Sequence, residues 1–514
     1  MTTEQLGAHF FRGSGCFLFV LEALYDLQKN HQGLLYSMSN NFLFYLIYCK
    51  KLSLEDQMKK HDKIISFIFI LFMMVTAIYW VITTESWTVL GTLASVICFV
   101  LFVLLGLRTI PVLTAFVLAN PALEVIRESK ERDRRQAWLR IIGWILASRI
   151  LLMLIGYAFL IIQNGYSGGL FSKIAETWHI SGIDASSYLG IAENWYVTEG
   201  DPKYHIVFFP FSPNLIKVVQ VFVGNYLVAG FIVSNISSIV AALVAYELAA
   251  LDMHRKNAMR VVKYIFIFPA AFFFFIPMTE SLFLALSLMC LYFVRKKEWL
   301  IGCLCGALAA YTRSPGVLLI VPVAIEFGRD LIGNYKLLNK KAFIHRITTA
   351  VGCLAIISVG LLGYLYINYY VTGNAFQFSI YQREHWSQRF YLFFDTVRYQ
   401  MEYAVGTFKS GESRSFLGMW LPNLVAIFSA LILMFMGAKK IRPSYTAYFI
   451  VYFAFVVGAT WLLSAPRYLL VAFPLAFAAV ALTEEKSKDV ALTVVSVVGS
   501  LLYLAMFVAG YPVY

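Results

Sequence analysis

Charged residues are scarce in this sequence. Asp, Glu, Lys and Arg make up 14% of its 514 residues, whereas a soluble domain typically carries about 25%. Hydrophobic residues make up 60% of the chain and aromatic residues 17%. This composition excludes an ordinary soluble domain and predicts an integral membrane protein.

Acidic residues are fewer than basic ones, 29 against 42, which gives a formal net charge of +13. A basic balance can indicate nucleic-acid binding, but Lys and Arg also concentrate in the cytoplasmic loops of membrane proteins. We therefore expect membrane lipid, and no nucleic acid, as a partner of this chain.

The sequence also lacks a disulfide framework and a secretory signal peptide. Its seven cysteines lie in or beside apolar stretches, and Cys303 and Cys305 do not have the spacing of a zinc site. We expect the cysteines to be small buried apolar residues. Glu4, Glu22 and Asp26, with no cleavage site nearby, argue against a signal peptide.

Long apolar runs dominate the sequence. A spanning helix needs about 20 mostly apolar residues, and we expect about 11 to 13 such helices. The pieces from 260 to 328 are short, and are expected to be tilted or broken into half-helices. The candidate spans are 63–83, 88–108, 138–163, 224–249, 260–278, 280–295, 299–313, 316–328, 347–370, 416–437, 444–463, 467–484 and 489–509.

The first 62 residues contain two shorter aromatic-rich segments, 9–27 and 34–49. We expect interfacial helices there, with true spans as the alternative.

Six basic segments are consistent with a single membrane topology. If all lie on the cytoplasmic side, an even number of crossings separates each from the next, as the positive-inside rule requires. These segments are 127–136, 254–263, 295–297, 329–346, 438–442 and 484–488. The remaining loops must then be extracytoplasmic, namely 164–223, 277–281, 312–316, 371–415 and 464–468.

The predicted outer loops place single charges at the edges of apolar helices. Glu280, Arg313 and Arg467 each occupy such an edge, and Asp184 lies in the first outer loop. A charge centrally placed in a spanning helix costs about 2.5–3.5 kcal/mol on insertion scales, so such residues usually face a water-filled cavity or a partner. Snorkelling at a helix end is the alternative for each one, but four charges at one face favour a shared site.

Polar and aromatic residues also mark two longer outer stretches. The stretch 381–391 contains residues that can contact a sugar and a phosphate, namely Gln382, His385, Trp386 and Arg389, although an amphipathic surface helix is the alternative. In 200–215, prolines favour a re-entrant or interfacial element. His205 there can contact phosphate, but a structural role is the more common one for a single histidine.

An aromatic run, AAFFFFIP at 270–277, lies beside Glu280. It can line a groove for a lipid tail or form bulk lipid-facing surface, and we favour the second interpretation.

Six segments, in order, resemble motifs of the GPI mannosyltransferase II (PIG-V) family and its bacterial relatives, which are GT-C glycosyltransferases of the membrane. The resemblance covers about residues 138–480. The segments are IDASSYLGIAENWY (183–196), FFPFSP (208–213), TESLFLALSL (279–288), WLIGCLCGALAAYTRSPG (299–316), YYVTGNAFQFSIYQREHW (369–386) and SAPRYLLVAFP (464–474).

The chain departs from this family at two positions of the first motif. Ile183 stands where the family has Trp before the aspartate, and Trp195 where it has Gly before Tyr196. Residues 1–137 have no counterpart in the family pattern. We therefore predict two parts, an N-terminal membrane module at 1–137 and a GT-C core at 138–514.

The resemblance implies an all-α polytopic membrane enzyme of GT-C type. It would transfer a sugar, with mannose expected, from a polyprenyl- or dolichyl-phosphate-sugar donor to a lipid-linked or surface glycan on the outer face, with inversion. The membrane would be the cell membrane of a bacterium or the endoplasmic reticulum of a eukaryote. The implied roles are the catalytic base for Asp184, donor-phosphate binding for Arg313, Arg467 and His385, and substrate binding for Glu280, Gln382, Trp386, Tyr188 and His205.

The sequence contains no Asp-X-Asp pair. A phosphate monoester leaving group also needs less charge stabilisation by a metal ion than a nucleotide diphosphate does. We therefore expect no essential metal and no cofactor.

Two alternatives to the expected function stay open. One is a GT-C enzyme that uses another polyprenyl-phosphate sugar. The other is a lipid-sugar flippase or transporter, which would show mid-membrane charges and two similar halves.

Overall fold

The structure, a computed structural model, describes residues 60–84, 87–118, 131–165, 174–178, 180–334 and 339–514. The predicted segments 9–27 and 34–49 lie outside these residues. Across the described residues the fold is helical, with an isolated bridge between Phe390 and Ala459.

Twenty α-helices are assigned in the described residues. They are α1 (Lys60–Thr83), α2 (Val89–Leu118), α3 (Glu131–Asn164), α4 (Ile174–Thr177), α5 (Ala185–Asn194), α6 (Phe211–Val223), α7 (Tyr226–Ala250), α8 (Arg255–Ile267), α9 (Glu280–Arg295), α10 (Trp299–Thr312), α11 (Ile320–Asn334), α12 (Lys340–Thr372), α13 (Gln377–Trp386), α14 (Phe393–Ser410), α15 (Ser413–Ser415), α16 (Leu421–Gly437), α17 (Pro443–Val457), α18 (Ala465–Leu470), α19 (Pro474–Leu482) and α20 (Lys486–Val508).

Short 3₁₀ helices connect several of them, and one π-helical turn (Phe416–Trp420) joins α15 to α16. The 3₁₀ helices are Ile180–Gly182, Asp201–Val207, Ala271–Phe274 and Ser314–Leu319.

Seven helical segments in the described residues are long and apolar enough to cross a membrane, or eight if one bent pair is a single span. This makes the chain a multi-pass integral membrane protein. The seven are α1, α2, α3, α7, α12, α20 and the segment Ser413–Gly437 formed by α15 and α16.

Within the described residues, six of the 13 predicted spans are short or broken helices, so they are not among these seven. The total of 11 to 13 spans stays a prediction. The apolar run at 260–278 ends its helix at Ile267, before Pro269, and the run at 467–484 breaks between α18 and α19, before Pro474. Short helices suffice there because their neighbours surround them: α9 has 16 residues and most of its side chains are buried.

The bent pair confirms that 200–215 is not one continuous span, while its re-entrant or interfacial placement stays a prediction. The 3₁₀ helix Asp201–Val207 and α6 meet at 112°, around Phe208 to Pro210.

In the described residues, ion pairs join five of the six predicted basic segments at one end of the molecule, and Asp489, one residue beyond the sixth segment, joins them there. The ion pairs that join them are Asp133–Arg255, Arg134–Glu247 (3.3 Å), Arg260–Asp489 (2.9 Å), Arg295–Asp252 (2.7 Å), Lys297–Asp330 (3.1 Å), Arg346–Asp330 (3.0 Å), Arg442–Glu326 (2.6 Å) and Arg442–Asp252 (3.7 Å). We call this the basic end. Because α9 runs from Glu280 to Arg295, the predicted outer junctions lie at the opposite end. That the basic end faces the cytoplasm remains a prediction.

The expectation of a lipid-facing aromatic run was wrong. Phe272, Phe273 and Phe274 are fully buried, and the rings of Phe272 and Phe273 contact Phe507 of α20. After α8 ends, residues Ala271–Phe274 of this run form a 3₁₀ helix that packs against α20. Protein rather than lipid therefore covers it.

The helices that precede residue 138 pack directly on the rest of the chain. Trp80 of α1 donates to Asp395 (2.8 Å), and its ring meets Phe394 edge-on. Phe393 and Phe394 are buried in the protein at this contact. The division at 137/138 remains a prediction.

The cysteine prediction is confirmed within the described residues, where five cysteines are free and buried. They are Cys98, Cys290, Cys303, Cys305 and Cys353. Cys16 and Cys49 lie outside the described residues.

Glycine allows α10 and α12 to cross closely. A Cβ on Gly360 of α12 would lie 1.9 Å from the carbonyl oxygen of Ala307 in α10. Backbone atoms cannot yield as side chains do, so this crossing requires glycine.

We expect Gly360→Ala to lower the thermal unfolding midpoint of the purified protein, by the equivalent of about 1–3 kcal/mol, because the helices must separate. Gly352→Ala is the matched control: it lies on the same helix and its Cβ would meet open space. Its midpoint should be unchanged or slightly raised. Equal midpoints for the two variants would contradict the close crossing.

Candidate functional site

Asp184 immediately precedes α5 and is its N-cap residue, but its carboxylate makes no capping hydrogen bond. The carboxylate instead accepts a hydrogen bond of 2.7 Å from Nη2 of Arg467, 283 residues further along the chain. The Asp184 side chain is 34% exposed, whereas that of Arg467 is 7% exposed. Of this pair, the carboxylate is the group that solvent or a substrate can reach.

Arg467 lies on the short helix α18, outside the seven long apolar helices. Burial alone would lower the pKa of its guanidinium, but the carboxylates of Asp184 and Glu280 outweigh burial and hold that pKa above its usual value. Arg467 therefore remains a cation.

A buried amide network fixes the start of α18. Asn423 accepts from the backbone N–H of Ala465 (2.9 Å) and donates to the carbonyl of Leu462 (3.1 Å) and to Gln400 (3.1 Å). Gln400 also donates to the Leu462 carbonyl. Two fully buried side chains thus hold the backbone just before Arg467 in place.

Glu280 is the first residue of α9 and is 1% exposed. A helix N-terminus favours a negative charge. Its Oε1 accepts a hydrogen bond from Nη1 of Arg313 and lies 3.3 Å from Nε of Arg467. One buried carboxylate is thus shared by two guanidinium groups.

Arg313 occupies the extended residue between α10 and the 3₁₀ helix Ser314–Leu319. Its Nη1 also donates to Oγ1 of Thr279 (3.0 Å), and its guanidinium carbon lies 4.7 Å from the centre of the Tyr468 ring. We call Asp184, Glu280, Arg313 and Arg467 the charge cluster. Its two carboxylates balance its two guanidinium groups.

Tyr188 connects the charge cluster to an aromatic group beside it. Its hydroxyl lies 3.4 Å from Thr279 Oγ1, and its ring meets Phe208 edge-on at 5.2 Å. Phe208 in turn lies 6.2 Å from Trp386 of α13.

The other predicted residues gather around this aromatic group rather than in the charge cluster. His385 is exposed and stacks on Tyr204 (4.0 Å between ring centres). His205 lies beside Gly190 of α5 and meets Phe208 edge-on. The side-chain oxygen of Gln382 is buried and has no hydrogen-bond partner among the described residues.

The structure therefore divides the nine predicted site residues into two neighbouring groups. Asp184, Tyr188, Glu280, Arg313 and Arg467 come together, and His205, Gln382, His385 and Trp386 belong to the segments around Tyr204 and Phe208. Sequence reasoning missed Thr279 and Tyr468, although both lie inside quoted motifs. It also missed Gln400 and Asn423, for which the sequence offers no signal beyond an amide in an apolar helix.

Within the described residues, no group of three or more His, Cys, Asp or Glu side chains is arranged to hold a metal ion. The expectation of no essential metal stays a prediction.

The fold and site define a multi-pass helical membrane protein with a buried charge cluster at the end opposite its basic loops. No family model, curated protein or solved structure matches this chain.

We expect Glu280→Gln to destabilise the protein strongly, by about 3–5 kcal/mol, because it leaves two buried guanidinium groups without their shared carboxylate. The thermal unfolding midpoint of the purified protein measures this loss. Glu485→Gln is the control, since Glu485 pairs with Lys488 on the exposed surface (2.7 Å) and should change the midpoint little. Similar midpoints for the two variants would contradict the structural role of Glu280.

Proposed function

We propose that this protein is a GT-C-type membrane glycosyltransferase that transfers a sugar, mannose, from a polyprenyl-phosphate donor to a lipid-linked or surface glycan acceptor. The observation that carries this proposal is the convergence of four separate motifs. Asp184, Glu280, Arg313 and Arg467 each come from a different segment of the PIG-V resemblance, and their side chains meet in one cluster. The segments that carry the resemblance therefore meet at one place in the fold.

The arrangement suits transfer from a lipid phosphate. An acceptor hydroxyl is a weak nucleophile and needs a base within hydrogen-bond reach, and Asp184 is the most exposed carboxylate of the cluster. A phosphate that binds Arg467 would compete with Asp184 for the guanidinium. Donor binding would thereby release the carboxylate to accept the proton of the acceptor.

The two arginines would hold the departing phosphate. Their planar guanidinium groups bind phosphate oxygens with two hydrogen bonds at once. Positive charge where negative charge develops lowers the barrier to bond cleavage. Glu280 contacts both arginines, so in this mechanism it fixes their positions rather than orienting the acceptor.

The length of α9 supports a recessed site. Its 16 residues correspond to about 24 Å, whereas the hydrocarbon layer is about 30 Å thick. If Arg295 lies at the inner boundary of this layer, Glu280 lies about 6 Å below the outer one. A phosphate in such a recess is shielded from water, which strengthens its attraction to the arginines.

The backbone at Trp195 also supports the resemblance. This residue has φ +62° and ψ −165°, a region that is essentially reserved for glycine. The family pattern has Gly at this position, and glycine adopts such a backbone conformation without a steric penalty. The ring contacts Tyr196 (4.9 Å between centres).

The departures at Ile183 and Trp195 favour a second candidate, a transferase of the same type that uses a different polyprenyl-phosphate sugar. A lipid-sugar transporter is the alternative from another class. A panel of donors separates all three, because the transporter would form no glycosidic bond.

We expect Asp184→Asn to reduce transfer by about 10²- to 10⁴-fold, because the amide cannot accept the proton. The assay uses purified protein and a panel of radiolabelled polyprenyl-phosphate sugars. Asp201→Asn, an exposed acid of the same outer stretch, is the control and should retain activity. Wild-type protein that transfers no sugar from any donor would refute the enzyme proposal, and an equally active Asp184→Asn variant would refute the role of the base.

We expect EDTA to leave transfer unchanged, because arginines rather than a metal would neutralise the leaving phosphate. The same radiolabel assay checks this before and after chelation. Loss of activity that Mg²⁺ or Mn²⁺ restores would contradict the metal-independent mechanism.

A further inference from the structure

Strained backbone is concentrated at the end of the molecule that carries the charge cluster. Four residues other than glycine have a positive φ in the part of the chain that the structure describes. Lys297 lies at the basic end, whereas Trp195, Ser387 and Trp461 lie at the opposite end. A positive φ is a genuine outlier for a bulky residue. Such strain persists only where the surrounding structure fixes it, and it clusters at active sites and ligand clamps.

Trp461 lies in the loop between α17 and α18. Helix α17 begins at the basic end, where Arg442 pairs with Glu326. Its 15 residues rise about 22 Å, so the loop that follows lies at the end that carries the charge cluster. Trp461 has φ +55° and precedes Arg467 on the same stretch of chain.

Two short antiparallel segments, 387–391 and 458–461, fix the backbone on the N-terminal side of Trp461. We call these segments the clip. Its hydrogen bonds run from the N–H of Tyr391 to the carbonyl of Gly458 (2.7 Å), from the N–H of Thr460 to the carbonyl of Arg389 (2.8 Å), from the N–H of Arg389 to Oγ1 of Thr460 (2.8 Å) and from the side-chain amide of Gln388 to the carbonyl of Trp461 (3.3 Å).

The backbone on the C-terminal side of Trp461 is held as firmly. The N–H of Leu462 donates to the hydroxyl of Tyr399, and Gln400 and Asn423 donate to the carbonyl of Leu462. The protein therefore holds Trp461 in its strained conformation from both sides. This conformation sets the direction in which the indole ring points.

The Trp461 ring is part of an aromatic face. It lies nearly parallel to the Tyr399 ring (6.1 Å between centres) and meets the Tyr403 ring edge-on (5.3 Å). Trp420 stacks on Tyr403 (4.8 Å) and is buried, whereas Tyr403 is 44% exposed and Trp461 and Tyr399 are partly exposed. The face is thus backed by protein on one side and accessible on the other.

Arg389 of the clip supplies a polar group beside this face. Its backbone pairs with Thr460, the neighbour of Trp461. Arg389 is exposed, and its side chain makes no hydrogen bond or ion pair within the described residues. A sugar ring has a face of C–H groups and an edge of hydroxyls, so it binds where an aromatic face lies beside polar groups. The clip brings both together.

We propose that this aromatic face and Arg389 form a carbohydrate-binding site, in which the Trp461 ring stacks on a sugar of the glycan acceptor. Asn423 bonds to both Leu462 and Ala465, so the loop of Trp461 leads directly into α18, which carries Arg467. A glycan on this face lies beside the segment that would hold the donor phosphate. The role of the sugar as acceptor rests on the proposed function, whereas the binding of a sugar does not.

The test measures sugar binding without a transfer reaction. The full chain is purified in a detergent that has no sugar headgroup. It is titrated with linear oligosaccharides of mannose, of glucose and of N-acetylglucosamine while the thermal unfolding midpoint is recorded. A ligand that binds the folded state raises this midpoint. We expect a saturable rise with at least one of the three kinds of oligosaccharide.

We expect Trp461→Ala to raise the half-saturating sugar concentration at least tenfold, because the stacking face is lost. Trp461→Tyr keeps an aromatic face and should bind more tightly than Trp461→Ala. Trp299→Ala is the matched control and should bind like wild type, since Trp299 stacks on Phe327 (3.8 Å) near Lys297 at the basic end. If Trp461→Ala does not fold, Arg389→Gln replaces it, because that exposed side chain has no contact to lose.

Wild-type protein that binds none of these sugars would overturn the proposal, as would a Trp461→Ala or Arg389→Gln variant that binds them as tightly as wild type. Brominated lipid that quenches the fluorescence difference between wild type and Trp461→Tyr would also overturn it, because the ring would then be a membrane-interface anchor.

The same titration separates this site from the proposed reaction. Sugar binding that depends on Trp461, with no transfer from any donor, would support the site and refute the proposed function. Transfer by a protein that binds none of the sugars would refute the site alone.

Discussion

The sharing of the Glu280 carboxylate between Arg313 and Arg467 is the interaction on which the rest of the site depends. Both guanidinium groups are buried and could not remain charged in an apolar core without a partner. The carboxylate lies at a helix N-terminus, where the helix dipole also stabilises it. Arg467 contacts Glu280 through Nε and donates to Asp184 through Nη2. The position of the Arg467 guanidinium therefore also sets its contact with Asp184.

Short and broken helices surround the cluster. One helix ends just before Arg313, another begins just after Ser464, and protein packs around the backbone at both positions. The amide network of Gln400 and Asn423 satisfies the carbonyl of Leu462 and the N–H of Ala465 at one break. Irregular backbone at membrane depth is tolerated under these conditions.

The grouping of the basic segments at one end of the spans could be predicted from the sequence, because charged side chains are costly in the hydrocarbon layer. The described residues of the basic segments meet at one end, as the positive-inside pattern predicted. The lengths of the inner helices were not readable, because hydropathy measures how apolar a segment is and not what covers it. The aromatic run beginning at Phe272 shows this limit: its composition suits lipid as well as a protein core, and only its position under α20 decides between them.

By itself, the sequence determined that the chain is a multi-pass membrane protein and that Asp184, Glu280, Arg313 and Arg467 lie toward one end. Hydrophobicity and charge are local properties, so they can be read residue by residue. The tertiary structure decided that these four charges pair with one another, and that His385 stacks on Tyr204 instead of joining them. Pairing depends on the distance between segments far apart in the chain, and the fold alone sets that distance.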